Sequence, residues 1–147
     1  MKEYEINEET LAIINVSSSK TKVIEENNEY IVDKNGYKIM DESCQYFGSS
    51  YQGRVVGSKK ILNANYKLPI IVEESRKIIF FPTTSPKMED CMWISLNKID
   101  NYIKHPDKTT IIFKNGKKID INISSSSINN QILRSSRLDS ILSSRIY

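Results

Sequence analysis

The sequence predicts an α+β fold made mainly of antiparallel strands, with a glycine-containing central helix and a C-terminal amphipathic helix. Two kinds of periodicity lead to this fold class. Short runs of β-branched residues, bounded by Asn, Ser and Gly, recur as they do in hairpin-connected strands. Apolar residues recur at helical spacing in a central stretch and again near the C-terminus. The 147 residues are the length of one ordinary domain, so we expect a single domain over residues 1–147.

The first third of the chain predicts a meander of short strands. Its β-branched residues cluster in three runs, and the Ser and Asn residues between the runs suit tight connections. Asn35 and Gly36 then predict a further turn, because both residue types tolerate a positive φ. The three expected strands span residues 10–16, 20–25 and 29–32.

The central stretch predicts one helix that begins near Asp41 and Ser43, since both residue types cap helix N-termini. Phe47, Tyr51 and Val55 then recur every four residues, which indicates a helix of about four turns. Each glycine inside a helix costs about 1 kcal/mol relative to alanine. We therefore expect the helix backbone to lie unusually close to a neighbouring strand or a ligand. The glycines concerned are Gly48, Gly53 and Gly57.

Strand character returns after Tyr66 and leads to a hairpin. Asn115 and Gly116 separate two β-branched runs, 109–113 and 118–123, and Asn-Gly is strongly preferred in two-residue hairpin turns. The second run alternates isoleucine with polar residues, as a half-buried strand does. The expected strands before the hairpin span residues 69–72, 77–81 and 91–96.

The serines of residues 124–127 offer N-caps for a terminal helix. The apolar residues that follow fall within an arc of about 120° on a helical wheel, which predicts an amphipathic helix whose stripe faces the core. Arg134, Arg137 and Arg145 gather beside the stripe, and we expect them to face outward. The stripe residues are Ile128, Ile132, Leu138, Leu142 and Ile146.

Few side chains in this sequence suit catalysis or metal binding. His105 is the single histidine, and Cys44 and Cys91 lie far apart, so we expect no catalytic residue, no metal site and no cofactor. Cys44 and Trp93 are more typical of the core, and His105 of a surface loop. Because neither a signal peptide nor a spanning helix is indicated, we expect a cytoplasmic protein that does not bind membranes.

The charge of this chain is unevenly distributed. Residues 1–33 carry three basic residues and eight carboxylates, whereas residues 34–147 carry eighteen basic residues and ten carboxylates. Basic residues mixed with aromatic and hydroxyl side chains are typical of phosphate contacts, so we expect nucleic-acid binding. A solvated lysine-rich surface is the alternative. The expected DNA contacts are Arg54, Lys59, Lys60, Lys67, Lys114, Lys117, Lys118, Arg134 and Arg137, with the first three ranked highest.

Residues 43–54, Ser-Cys-Gln-Tyr-Phe-Gly-Ser-Ser-Tyr-Gln-Gly-Arg, resemble the signature of the ComK family of competence transcription factors. The similarity continues in the same order along nearly the whole chain. It covers Leu-Pro-Ile-Ile-Val at 68–72, Ile-Phe-Phe-Pro-Thr at 79–83, Cys-Met-Trp-Ile-Ser at 91–95, Phe-Lys-Asn-Gly-Lys at 113–117 and Asn-Gln-Ile-Leu-Arg at 130–134.

The resemblance implies a bacterial activator of DNA-uptake genes that binds paired A/T-rich promoter boxes, chiefly through the minor groove. Such a groove is narrow and strongly negative, which favours Arg and Lys without a base-specific code. The resemblance also implies a homodimer or higher oligomer. It supplies no residue-level assignment, so the DNA contacts named above rest on charge and position.

Family members continue for some tens of residues beyond the position of Tyr147. The resemblance implies a Clp protease adaptor as a partner, but the family attributes this capture and full promoter activation to that tail, so the resemblance alone does not assign them to this chain. The sequence leaves two alternatives to an activator. One is a non-activating regulatory paralogue that binds only DNA or a partner protein, and the other is an enzyme with an unrecognised site.

Overall fold

The computed structural model describes residues 1–146, which form nine strands and three α-helices. The strands are β1 (Thr10–Ser17), β2 (Lys20–Glu25), β3 (Glu29–Val32), β4 (Ile70–Glu73), β5 (Ile78–Pro82), β6 (Met92–Ser95), β7 (Ile99–Lys104), β8 (Thr109–Phe113) and β9 (Lys118–Ile121). The helices are α1 (Gly36–Tyr46), α2 (Tyr51–Leu62) and α3 (Ser125–Ile146), and one 3₁₀ turn (Leu96–Lys98) precedes β7.

Two antiparallel sheets organise the structure. The larger has the order β3-β2-β1-β6-β5-β4 and the smaller β7-β8-β9. Antiparallel sheets with separate helices make this an α+β fold, as the sequence predicted. No helix in the described part of the chain combines the length and apolar character needed to cross a bilayer.

The larger sheet is the middle layer of three, because alternate residues of its strands enter different clusters. Ile13 and Val23 pack with apolar residues of α1, and Trp93 of β6 joins them. The next residues along two of these strands, Ile24 and Ile94, pack instead with β8, β9 and α3. Helices α1 and α2 therefore cover one face, and the smaller sheet with α3 covers the other.

The strand predictions are confirmed within a residue or two, including the hairpin of β8 and β9, where Gly116 has a φ of 90°. Strand β7 was not expected from the sequence. Its residues are half-buried or exposed, and it forms an edge of the smaller sheet, so it lacks the apolar alternation that identifies the others.

The apolar stripe expected in the terminal helix is fully buried at Ile128 and Leu138 of α3, while the side chain of Ile146 lies outside the described residues.

The prediction of one central helix beginning near Asp41 and Ser43 is wrong, because two helices are present. Helix α1 already includes both residues, and the chain breaks at Gly48, whose φ of 89° favours glycine. The Asp41 carboxylate instead accepts a hydrogen bond from Tyr51 N at 2.8 Å. It therefore caps the following helix, where Ser50 Oγ also accepts from Gly53 N at 2.9 Å.

The turn predicted at Asn35 and Gly36 is also wrong, since these residues begin α1. Asn35 is the N-cap and accepts a hydrogen bond from Lys38 N at 2.9 Å. A Cβ at Gly36 would lie 2.7 Å from both Asn15 Oδ1 and the Trp93 ring. Glycine is thus required here by close packing rather than by a turn.

Close packing against a neighbouring strand does not explain the glycines of α2. Nothing in the described chain lies within 4 Å of a Cβ placed at Gly57, and at Gly53 such a Cβ meets only Ser49 Oγ and Ser50 Oγ. The expectation of a close neighbouring strand is therefore wrong at these two glycines.

The turn between β4 and β5 is held by the carboxylate of Glu73. This carboxylate accepts hydrogen bonds from the backbone and side chain of both Ser75 and Arg76. Burial alone would raise the pKa of Glu73, but these hydrogen bonds outweigh it and lower the pKa to about 2. A depressed pKa stabilises the fold above the ordinary carboxyl pKa, and this contribution disappears as the pH falls towards 2.

We expect Glu73→Gln to reduce the free energy of unfolding at pH 7 by about 2 kcal/mol and to flatten its decline between pH 5 and 2.5. Urea denaturation at several pH values measures both effects. Glu74→Gln is the control, because Glu74 is exposed and makes one ion pair. Equal pH dependence in wild type and Glu73→Gln would contradict this account.

Candidate nucleic-acid interface

Helices α2 and α3 lie on different faces of the larger sheet but meet at its β4 edge. Leu62 at the end of α2 and Leu138 of α3 share one apolar cluster with Leu68, Ile71 and Ile79. The segment that leaves α2, residues 63–69, therefore runs around the sheet edge and along α3. This brings basic residues from two distant parts of the sequence together.

Side chains of α3 fasten this segment through its backbone carbonyls. Gln131 Nε2 donates to Lys67 O at 2.8 Å and to Pro82 O at 2.7 Å. Arg134 Nη2 donates to Tyr66 O at 2.6 Å, and its Nη1 donates to Gln131 Oε1 at 3.0 Å. Partial burial lowers the pKa of Arg134. Gln131 is buried, so the Lys67 carbonyl that it binds has a fixed position.

Five predicted contacts lie on or near this segment. Lys59 and Lys60 are exposed in the last turn of α2, where a positive charge also interacts favourably with the helix dipole. Lys67 is half-buried and lies beside Arg134 through the contacts just described. Arg137 is exposed one turn further along α3. We call Lys59, Lys60, residues 63–67, Arg134 and Arg137 the α2–α3 surface.

Few carboxylates occur near the α2–α3 surface. No Asp or Glu occurs between Glu42 and Glu73, so α2 and the segment after it contain only positive charges. In α3 the one carboxylate is Asp139, which lies 3.9 Å from Lys77 Nζ. The surface is therefore positive because of local composition, although the net charge of the chain is only +3.

Arg54 lies apart from this surface. Its Nη1 is 3.3 Å from Glu74 Oε1, only 20% of its side chain is exposed, and its Nε is buried without a hydrogen-bond partner in the described chain. An arginine in this position contributes to the packing of α2 on the β4–β5 turn. Its charge is paired with the Glu74 carboxylate.

The hairpin lysines form a second, separate group. Lys117 Nζ donates to Glu25 O at 2.8 Å, and the neighbouring Asn115 Nδ2 donates to Glu26 O at 2.9 Å. The hairpin tip thus packs against the acidic turn between β2 and β3. Lys114 and Lys118 are exposed on this tip. The expected contacts therefore fall into two groups, and Lys114 of this second group shares a pocket with Ser136 and Asp139 of α3.

The residues considered as candidates for catalysis, metal binding or base stacking instead pack or form hydrogen bonds within the fold. Cys44 is fully buried, and burial raises the pKa of its thiol to about 12, as expected for a core residue. Trp93 is also fully buried, and its Nε1 donates to Tyr51 Oη at 3.1 Å. His105, expected at the surface, is half-buried, with its Nε2 2.8 Å from Thr110 Oγ1.

Sequence reasoning did not assign a role to Gln131, Asn63 or Asn65. Gln131 is uncharged, but it lies one helical turn before Arg134, and this spacing could have indicated a shared contact. The two asparagines are exposed on the segment after α2. Only the contacts of their segment with α3 show that it lies beside the basic residues of that helix.

A sequence model of the family described as ComK protein matches residues 1–147. The chain belongs to the ComK family. The Competence transcription factor of Bacillus subtilis (strain 168) is 33% identical over 150 residues, which cover 99% of this chain and 78% of that relative. No solved structure matches the chain. Family membership and this relative support a role as a regulator of competence transcription.

The ComK-like signature of residues 43–54 forms the corner between α1 and α2. Ser43 Oγ accepts a hydrogen bond from Ile6 N at 3.1 Å, Gly48 reverses the chain, and Ser50 caps α2. Tyr51 is buried against Trp93. The most recognisable sequence block of this ComK chain is therefore explained by folding, and the α2–α3 surface begins after it.

Proposed function

We propose that this ComK-family chain is a DNA-binding transcription regulator of competence genes, and that it acts as an activator at paired A/T-rich boxes. The observation that carries the proposal is the α2–α3 surface, where exposed basic side chains lie on a segment free of carboxylates. Neutralising phosphates with Lys and Arg releases counterions and supplies most of the sequence-independent affinity for a duplex. In this role Lys59, Lys60, Lys67 and Arg137 contact phosphates.

Minor-groove binding at A/T sequences agrees with the chemistry of this surface. An A·T pair presents only acceptors in the minor groove, whereas a G·C pair adds the guanine N2 amino donor. A-tracts also narrow the groove and concentrate negative potential there. Lysine, arginine and asparagine side chains provide donors and positive charge, which suit A/T pairs better than G·C pairs.

The same proposal includes the organisation expected from the sequence. The chain acts in the cytoplasm as one domain over residues 1–147, without catalysis, and binds paired boxes as a homodimer or higher oligomer. Two-fold symmetry in the protein would match the pairing of the boxes. Arg54 and the hairpin lysines Lys114, Lys117 and Lys118 lie outside the proposed surface, since Arg54 is ion-paired and the hairpin tip packs on acidic residues.

A binding titration with three duplexes tests the proposed groove. The duplexes carry the same paired boxes as A·T pairs, as G·C pairs and as inosine·cytosine pairs, and inosine lacks the N2 amino group. We expect the A·T and inosine·cytosine duplexes to bind within about three-fold of each other, and the G·C duplex at least about ten-fold more weakly. Affinity for inosine·cytosine as weak as for G·C would contradict minor-groove recognition.

Reporter transcription separates the activator from its alternative. A promoter with the paired boxes should be induced when the wild-type chain is expressed, and should stay silent when the boxes are replaced by G·C sequence. Specific binding without induction would instead assign the chain to a non-activating regulatory paralogue.

A further inference from the structure

The most exposed aromatic side chain in the described part of the chain belongs to Tyr66, at 81% exposure. It lies on the segment that connects α2 to β4. An isolated exposed tyrosine needs no explanation. Tyr66 differs because its own carbonyl is fixed by Arg134, and Leu68 two residues later is buried. Its backbone is therefore held firmly while its ring projects into solvent.

The backbone conformation of the segment is also specific. Asn63 ends α2 in the left-handed conformation, with a φ of 51°. Lys67 has a φ of 47°, which is uncommon for a residue with a Cβ. Gln131 holds the Lys67 carbonyl in this conformation. The fold thus maintains an unusual loop geometry through the buried Gln131 and the half-buried Arg134 of α3, and Asn63, Asn65 and Tyr66 are exposed.

We infer that the loop of residues 63–67 enters the DNA groove, with Tyr66 as the residue that contacts base edges and sugars at the groove floor. This inference rests on the proposed function and assigns its specificity to particular side chains. The amide NH2 groups of Asn63 and Asn65 donate to adenine N3 and thymine O2, the acceptors that an A·T pair presents in the minor groove. Lys67 and the lysines of α2 contact the phosphate walls.

Gln131 and Arg134 are positioning residues in this arrangement. Their side chains donate hydrogen bonds to the carbonyls of Lys67 and Tyr66. These donors therefore hold the loop and are not available to contact DNA. Arg134 thus adds positive charge near the groove while fixing the loop. Positioning residues are needed here because a loop that enters a narrow groove must keep its shape between the phosphate walls.

Tyr66→Ala is the first test, with Tyr46→Ala as the matched control. Tyr46 is an exposed tyrosine at the end of α1, away from the loop, with 64% exposure. We expect Tyr66→Ala to weaken binding to the A·T duplex at least about ten-fold. Affinity for the G·C duplex should stay within about two-fold, and the salt dependence should not change because no charge is lost. Tyr46→Ala should match wild type on both duplexes.

Asn65→Asp is the second test, and it replaces a donor by a charged acceptor. Asn27→Asp is its control, since Asn27 is exposed on the β2–β3 turn and the change in net charge is identical. We expect Asn65→Asp to weaken binding to the A·T duplex at least about ten-fold, and Asn27→Asp to weaken it less than about three-fold. Urea denaturation of all four variants verifies that they remain folded.

The outcomes distinguish this inference from the function on which it rests. If wild type prefers the A·T duplex and Tyr66→Ala and Asn65→Asp bind it within two-fold of their controls, the loop does not enter the groove and the proposed function remains. If wild type does not distinguish A·T from G·C, the proposed function and this inference both fail. Loss of A·T affinity in both loop variants, with intact controls, supports the assignment.

Discussion

Replacing Lys59, Lys60, Lys67 and Arg137 together by Ala is expected to weaken binding of an A/T-rich duplex on the order of 10³-fold at 0.1 M salt. Each phosphate contact contributes about 0.9 to the slope of log K against log salt concentration. Loss of four contacts should therefore reduce the slope by about 3 to 4. A titration at four or more salt concentrations measures the slope directly, and near-ultraviolet circular dichroism confirms folding.

A variant with the same change in net charge provides the control. Lys2, Lys20 and Lys22 lie in the acidic residues 1–33, where Lys20 and Lys22 pair with Asp33 and Glu29, and Lys38 lies in α1. Replacing all four by Ala should change the slope by less than about one unit, because these residues lie outside the α2–α3 surface. If both variants reduce the slope equally, the effect comes from total charge, and the surface is wrongly placed.

The hairpin lysines supply a further comparison. Replacing Lys114, Lys117 and Lys118 by Ala should change the slope of log K against log salt concentration by less than about one unit if the hairpin tip stays against the β2–β3 turn. A reduction near 3 would instead place this tip on the DNA, as the sequence alone predicted, and would extend the interface beyond α2 and α3.

Trp93→Ala is expected to reduce the free energy of unfolding by about 3 to 5 kcal/mol, the largest stability effect of any single change considered. Trp93 is fully buried between the larger sheet and α1, and its ring meets the Tyr51 ring edge-on at 6.4 Å. Its removal leaves a cavity and also leaves the buried Tyr51 hydroxyl without the Nε1 donor. Urea denaturation followed by far-ultraviolet circular dichroism measures the loss.

Two milder variants identify the contributions to this effect. Tyr51→Phe removes only the hydroxyl and should cost about 1 kcal/mol, while Trp93→Phe keeps most of the apolar contact and should cost less than Trp93→Ala. The double variant Trp93→Phe with Tyr51→Phe should be less destabilised than the sum of its parts, because both changes remove the same hydrogen bond. A loss below about 1.5 kcal/mol for Trp93→Ala would show that this core is not tightly packed.

Local patterns determined how much of the fold could be predicted. Strands β1 to β3 and the β8–β9 hairpin follow from alternation and turn residues, which act between neighbours in the sequence. The division of the central region into two helices could not be inferred in this way. An aspartate such as Asp41 is typical of an N-cap, but here it lies inside α1 and accepts a hydrogen bond from the first residue of α2. Asn35 and Gly36 were ambiguous for the same reason, since asparagine favours both turns and helix N-caps.

The candidate site was predicted in composition but not in arrangement. Charge clustering indicated Lys59, Lys60 and Lys67, and the Lys67 carbonyl is held by Gln131 of α3. The pairing of Arg54 with Glu74 depends on a tertiary contact between α2 and the β4–β5 turn, which no local pattern encodes. The roles of Gln131 and Arg134 depend likewise on carbonyl groups more than 60 residues earlier in the chain.

The separation in sequence between the loop and the side chains that hold it has a consequence during synthesis. Gln131 and Arg134 follow their acceptors by 64 and 68 residues. A nascent chain on the ribosome therefore exposes Tyr66 and Lys67 well before the partners that fix them have been translated. The loop geometry that we propose for DNA recognition is therefore complete only when α3 has emerged and docked.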